Sequence, residues 1–166
     1  MFYFYFDASA LAKRYTNEIG TNLINFLFAN VSLERLKCLT IGALEVFWIF
    51  VRKRNDGRIT VSDFVQAVMR FDQEVTADDS DFELLPTPDS LLQTAMDFVD
   101  RHSINGTDAL VLCSALETGS RLRNAGDDLV LVAADQRLLR AAQAEGLPVF
   151  NPETDSQQTL TTFITS

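Results

Sequence analysis

The feature that most constrains this chain is its opening segment. Phe2-Tyr3-Phe4-Tyr5-Phe6 is apolar at every position and stops abruptly at Asp7. A strand with one wet face alternates apolar and polar residues, whereas a strand buried on both faces reads as a continuous apolar run. The segment is therefore expected at the centre of a parallel sheet. Leu129–Ala133 reads the same way. Leu36–Thr40, Phe82–Leu85 and Leu147–Phe150 are further strand candidates.

Between these runs lie segments of helical period. Helices are expected over Ala8–Tyr15, Thr21–Ala29, Ala43–Arg54, Ser62–Glu74, Asp89–Arg101, Asp108–Glu117 and Gln136–Ala144. Asn55-Asp56-Gly57 and Gly146 act as stop signals. Strands alternate with helices and no hairpin signal joins two strands. The fold class is α/β, a single domain with a central, mostly parallel sheet flanked by helices. The domain is expected over residues 1–152, with 153–166 as a flexible, polar C-terminal tail.

Composition narrows the function classes. Apolar residues make up 47% of the 166 residues, enough for a full core. No apolar run approaches the ~20 residues that span a bilayer. The opening segment has no basic region before it, so neither signal peptide nor membrane anchor is expected, and the expected location is the cytoplasm. Cys38 and Cys113 fit no metal or redox spacing and read as buried thiols. The formal net charge of −9 argues against a protein that coats nucleic acid through many phosphate contacts. The charge is uneven: residues 1–80 carry 9 basic and 10 acidic groups, residues 81–166 carry 5 and 13. Any nucleic-acid contact is expected on the first half.

Parallel sheets place working groups beyond the carboxyl ends of their strands. Asp7 follows the first strand and Asp135 follows Leu129–Ala133, so the two are expected on one edge. Both precede helices, as does Asp108, and helix capping alone accounts for an Asp at each position. Glu45 is different. It lies within Ala43-Leu44-Glu45-Val46-Phe47-Trp48-Ile49-Phe50, where a helix apolar all round is expected to be buried and an ionised Glu needs a partner.

These residues carry a family resemblance. Phe6-Asp7-Ala8-Ser9-Ala10-Leu11 with Glu18 and Gly20 downstream, Glu45 in its apolar helix, Thr107-Asp108-Ala109, and Ala134-Asp135-Gln136-Arg137-Leu138-Leu139 followed by Gly146-Leu147-Pro148-Val149 resemble PIN-domain proteins. They resemble especially the VapC-like ribonuclease toxins of toxin–antitoxin pairs. The resemblance spans residues 2 to 152. It implies that Asp7, Glu45, Asp108 and Asp135 are catalytic and bind one or two Mg²⁺ or Mn²⁺ ions, with Ser9 supporting Asp7. It also implies RNA hydrolysis leaving a 5′-phosphate and a 3′-hydroxyl, a homodimer, and a cognate antitoxin. The helices at Thr21–Ala29 and Ser62–Glu74 would supply the partner surfaces. One departure stands out: many relatives carry Thr or Ser two residues before the last Asp, where this chain has Ala133, and Thr107 is the only substitute hydroxyl in sight.

The residue types suit that chemistry. Hard divalent cations favour oxygen ligands, and clustered carboxylates repel one another unless a cation is present. Lys13, Arg14, Arg52 and Arg54, with Lys53 and Arg58 beside them, are expected either as an RNA-binding phosphate rail or as solvated cations at helix ends. His102 has no second histidine and reads as a solvated helix-end residue; the Phe residues read as core. A receiver-like domain would need a Lys after the last strand, where Asn151-Pro152 stands, and a haloacid-dehalogenase-type phosphatase would need a second Asp at Ser9. The remaining alternative is a PIN-like domain that binds nucleic acid or a partner protein without cutting it.

Overall fold

The computed structural model describes residues 1–166. Five strands form one sheet: β1 (Phe2–Phe6), β2 (Leu36–Leu39), β3 (Glu83–Leu85), β4 (Asp128–Val132) and β5 (Val149–Phe150). Their order is β3-β2-β1-β4-β5, and every neighbouring pair is parallel. The aromatic opening segment is the central strand, as its continuous apolar run predicts. It pairs with β2 through Phe6 and Cys38, and with β4 through Phe6 and Val132.

Eight helices cover the sheet: α1 (Ala8–Leu11), α2 (Thr21–Asn30), α3 (Thr40–Asn55), α4 (Val61–Phe71), α5 (Ser90–His102), α6 (Gly106–Asn124), α7 (Gln136–Ala144) and α8 (Gln157–Thr165). Alternate residues of β1 feed opposite cores. Phe4 and Phe6 join Val130 and Val132 beneath α1 to α4, while Tyr5 joins Leu129 and Leu131 beneath α5, α6 and α7. The result is a three-layer α/β domain, the PIN-like fold expected from the sequence. No helix is long and apolar enough to cross a membrane. Cys38 and Cys113 are buried and unpaired.

Several boundaries differ from expectation for identifiable reasons. The helix expected over Ala8–Tyr15 is one α turn continued by a 3₁₀ turn at Ala12–Arg14. α3 starts at Thr40, directly off β2, because the Thr40 hydroxyl donates to the Leu85 carbonyl at 2.7 Å and ties the strand end to β3. α4 ends at Phe71 in a π turn, Asp72–Thr76. α6 continues past Glu117 to Asn124, since its buried face keeps going through Thr118 and Gly119.

The C-terminal segment needs the largest correction. It is not a loose tail: Ser156 caps α8, Leu160 is fully buried, and the Phe163 ring meets Phe2 edge-on at 5.2 Å. Leu160, Phe163 and Ile164 stand at i, i+3 and i+4, an apolar stripe hidden among Gln and Thr. Gly20 helps to seat this segment. Its φ is +89°, and a Cβ there would lie 2.6 Å from the Pro152 carbonyl oxygen, so only glycine fits.

Candidate active site

Asp7, Glu45, Asp108 and Asp135 all line one cleft of about 280 Å³ at the carboxyl edge of the sheet. The strand order reverses between β1 and β4, which makes this the topological switch point. Asp7 follows β1, and its backbone N–H donates to the Val132 carbonyl at 3.0 Å, binding it to the end of β4. α3 leaves β2 at the same edge and brings Glu45. α6 leads back into β4, so its N-terminus, with Asp108, opens there as well.

Each carboxylate is held by a local contact. Asp7 is 5% exposed, and its Oδ2 accepts from the Ser9 backbone N–H at 2.9 Å and the Ser9 hydroxyl at 2.5 Å. The Ser9 Oγ in turn accepts from the Ala134 N–H at 2.9 Å. Ser9 therefore couples Asp7 to the strand end that lacks a hydroxyl at Ala133. Asp135 Oδ1 caps α7, accepting from the N–H groups of Arg137 at 2.7 Å and Leu138 at 3.1 Å. Asp108 is not a cap: Asn105 caps α6 and also donates from Nδ2 to Asp108 Oδ2 at 2.8 Å. Thr107 lies beside Glu45 and opposes the rise of its carboxyl. Capping and site membership thus coincide at Asp7 and Asp135, and no hydrogen bond reaches the second oxygen of Asp108 or Asp135.

The electrostatics show four acids crowded together with little positive charge among them. Burial, then the charges of Asp7, Asp135 and Glu45, push the Asp108 carboxyl up to about 7, with Arg137 opposing. Burial raises Asp7 against the lowering effect of Ser9, and the Asp135 charge adds to the rise. Burial and Asp7 raise Glu45, partly offset by Thr107. A divalent cation would remove this repulsion, and the donor set is all oxygen, as Mg²⁺ or Mn²⁺ prefers. The residues fit such an ion in kind. The four line one cleft, but as the side chains stand no three His, Cys, Asp or Glu groups form a metal cluster.

α3 is not buried all round. Val46 and Phe50 face the core, while Leu44, Phe47 and Trp48 are exposed, leaving Glu45 half-buried between them. The expected basic rail is also only partly present. Lys13 is 2% exposed and donates to Glu153 at 2.6 Å. Arg14 grips Glu74 through Nε at 3.0 Å and Nη2 at 2.8 Å, and reaches Asn25 at 2.8 Å. Arg54 lies over the Phe64 ring, 4.4 Å from its centroid. These three are engaged with the protein itself, and only Arg52 lines the acidic cleft. Two residues not expected at the site are Trp48, which also lines the cleft, and Arg137, whose charge reaches Asp108. Trp48, at i−4 from Arg52, shares its helical face and was findable from that spacing. His102 is paired with Glu145 at 2.7 Å rather than solvated, far from this chemistry in role.

No family model and no curated protein matches the chain. Among solved structures it is similar to PAE2754 from Pyrobaculum aerophilum, at 18% identity, over 100% of both chains and with a TM-score of 0.66. It is also similar to FitAcB from Neisseria gonorrhoeae, at 14% identity, over 92% of this chain and 99% of that one, with a TM-score of 0.63. At these identities the likeness is one of fold. The class defined here is a PIN-like α/β domain with an acidic cleft at the switch point of its sheet.

Proposed function

We propose that the protein is a metal-dependent endoribonuclease that hydrolyses RNA phosphodiester bonds and serves as the toxin of a toxin–antitoxin pair. The observation that carries the activity is the shared cleft: Asp7, Glu45, Asp108 and Asp135, from four separate segments, line one cavity. The toxin role rests on the resemblance of the motifs to VapC-like proteins, which also supports a homodimer and a cognate antitoxin.

Asp7, Asp108 and Asp135 would hold one or two Mg²⁺ or Mn²⁺ ions, and Glu45 would complete the set. When bound, the metal offsets phosphate charge and lowers the pKa of water. The chain's own residues do the rest. Ser9 fixes the Asp7 carboxylate and the α7 N-terminus fixes Asp135, while Glu45 would position the attacking water. Burial and its acidic neighbours push the Asp108 carboxyl up to about 7, and a bound cation would favour its ionised form.

The test is cleavage of a mixed RNA pool with Mn²⁺ by the wild-type, Asp7→Asn and Asp108→Asn proteins. Cleavage by the first and its loss in both variants is expected; undiminished cleavage by both rejects the assignment. A second reading, a PIN-like domain that binds nucleic acid or a partner without cutting, is favoured by Ala133, which removes a supporting hydroxyl, and by the net charge of −9. Under that reading the wild-type protein binds RNA and leaves it intact with Mn²⁺ present.

A further inference from the structure

The acidic cleft opens into a longer groove. It shares Ser9, Ile49 and Arg52 with a neighbouring pocket of about 190 Å³. That pocket shares Arg58 with a third of about 420 Å³, lined also by Asn17, Gln66 and Arg70. Cavities with common wall residues adjoin, so Arg52 and Arg58 stand between the four acids and the pocket of Arg70, where Asp63 is the one acid on the wall.

The charges along this path differ in availability. Lys13 and Lys53 face the middle pocket, but both are buried and matched, by Glu153 at 2.6 Å and Glu18 at 2.5 Å. Arg52 is exposed and makes no ion pair, hydrogen bond or ring contact. Arg58 meets only Asp56, at 2.9 Å, with both side chains half exposed. Arg70 reaches Glu74 at 3.7 Å, and Arg14 already holds that carboxylate by two bonds. It also lies 6.0 Å over the Tyr15 ring. Exposed pairs of this kind contribute little and are readily exchanged for another anion. Three arginines thus remain available to phosphates, in a row that begins at the acids.

At the start of the row stands Trp48, the only tryptophan of the chain, 57% exposed on the wall of the acidic cleft. Its helical spacing to Arg52 puts indole and guanidinium on one face. A flat apolar ring beside a free cation matches a nucleotide, whose base stacks and whose phosphate is anionic.

We propose that a polynucleotide leaves the acidic cleft on this side, one unpaired base stacked on Trp48 and successive phosphates on Arg52, Arg58 and Arg70. Trp48 and the arginines are positioning residues. The proposal rests on the nuclease reading for its substrate class, but its test does not require cleavage. The probe is a fluorescein-labelled mixed-sequence oligoribonucleotide of about 12 nucleotides, a length chosen to exceed a site of a few nucleotides. EDTA is present throughout. Binding is followed by anisotropy and by indole fluorescence.

Binding is expected to quench the indole. Trp48→Ala is expected to weaken binding roughly 5- to 100-fold, and Trp48→Phe to retain most of the affinity. The Arg58→Ala, Arg70→Ala double variant should weaken binding and flatten the slope of log affinity against log salt by about 0.7 per arginine. Arg101→Ala, on the pair with Glu145, controls for net charge. No binding by the wild-type protein, unchanged affinity in Trp48→Ala, or an unchanged salt slope in the double variant overturns the proposal. A wild-type protein that shows the expected binding yet cuts no RNA with Mn²⁺ refutes the nuclease reading and leaves the path standing.

Discussion

Two charge clusters meet at the carboxyl edge of the sheet, and they are built in opposite ways. Around Lys13, Glu18, Lys53 and Glu153, each buried ammonium has its own carboxylate: Lys13 takes Glu153 and Glu18, and Lys53 takes Glu18 and the Thr16 hydroxyl. Burial pushes Glu18 up, yet its bond to Lys53 and the charges of both lysines hold it below the usual carboxylate range. Around Asp7, Glu45, Asp108 and Asp135 the charges have one sign, and burial together with mutual repulsion raises Asp7, Glu45 and Asp108. The matched cluster is complete within the chain. The acidic cleft has Arg52 on its wall but no ion pair to any of its four acids, an imbalance that supports reading it as a site.

The contrast can be tested from its largest consequence to its smallest. With Mn²⁺ present, Asp7→Asn and Asp108→Asn should each reduce RNA cleavage at least about 100-fold, the scale of removing a group that stabilises transition-state charge. Cleavage rates of purified proteins decide this, and Lys13 or Glu153 variants with an equal loss would erase the distinction between the clusters.

Mn²⁺ should also stabilise the fold, by about 2.7 kcal/mol at one hundred times its Kd. Thermal melts with and without the ion measure this; a shift that persists in Asp7→Asn, Asp108→Asn protein would place the ion elsewhere. In the matched cluster, Lys53→Ala should cost about 2 kcal/mol, since it leaves Glu18 only the more distant Lys13 and removes a charged donor from Thr16. Urea unfolding reads that loss directly.

The pH dependence should carry the opposite sign. Asp108 has a folded-state carboxyl near 7, well above its ordinary value of 3.8. The folded protein therefore binds this proton more tightly than the unfolded chain. Its contribution to stability is complete below about pH 3.8 and is lost as pH rises through about 7. Without divalent ions, the melting temperature of wild-type protein should fall from pH 5 to pH 8 more steeply than that of Asp108→Asn, and the variant should be the more stable of the two at pH 8. Equal slopes would show that the acids do not crowd one another. The smallest effect is expected for Glu153→Gln, under about 1 kcal/mol, because that carboxylate is 39% exposed and Lys13 keeps Glu18.

Much of the fold is legible in particular residues. Phe2–Phe6 and Leu129–Ala133 announce buried parallel strands because no residue in them tolerates water. Asp7 and Asp135 are placed at the working edge by their position immediately beyond those strands. The C-terminal helix was legible too, in the i, i+3, i+4 stripe of Leu160, Phe163 and Ile164, but three apolar residues among polar ones carry little weight until a core is there to receive them. The exposed face of α3 was not legible: Leu44, Phe47 and Trp48 look like core residues in the sequence, and only the placement of the helix shows which of its apolar sides meets solvent.

The candidate cations illustrate the limit most clearly. Lys13, Arg14, Arg52 and Arg54 are equivalent as letters, yet one is sealed against Glu153, one is clamped by Glu74, one lies on a phenylalanine ring and one stands free beside the acids.

Sequence alone determined the strand and helix periods, the α/β class and the location of Asp7 and Asp135 at strand ends, because these follow from contacts between near neighbours along the chain. Tertiary structure alone decided that Glu45 and Asp108 join them in one cleft, that Ser9 bridges Asp7 to Ala134, and which basic residues remain unpaired. Charge and hydrogen bonding act through space, so the partner of a side chain is known only when residues distant in sequence have been brought together.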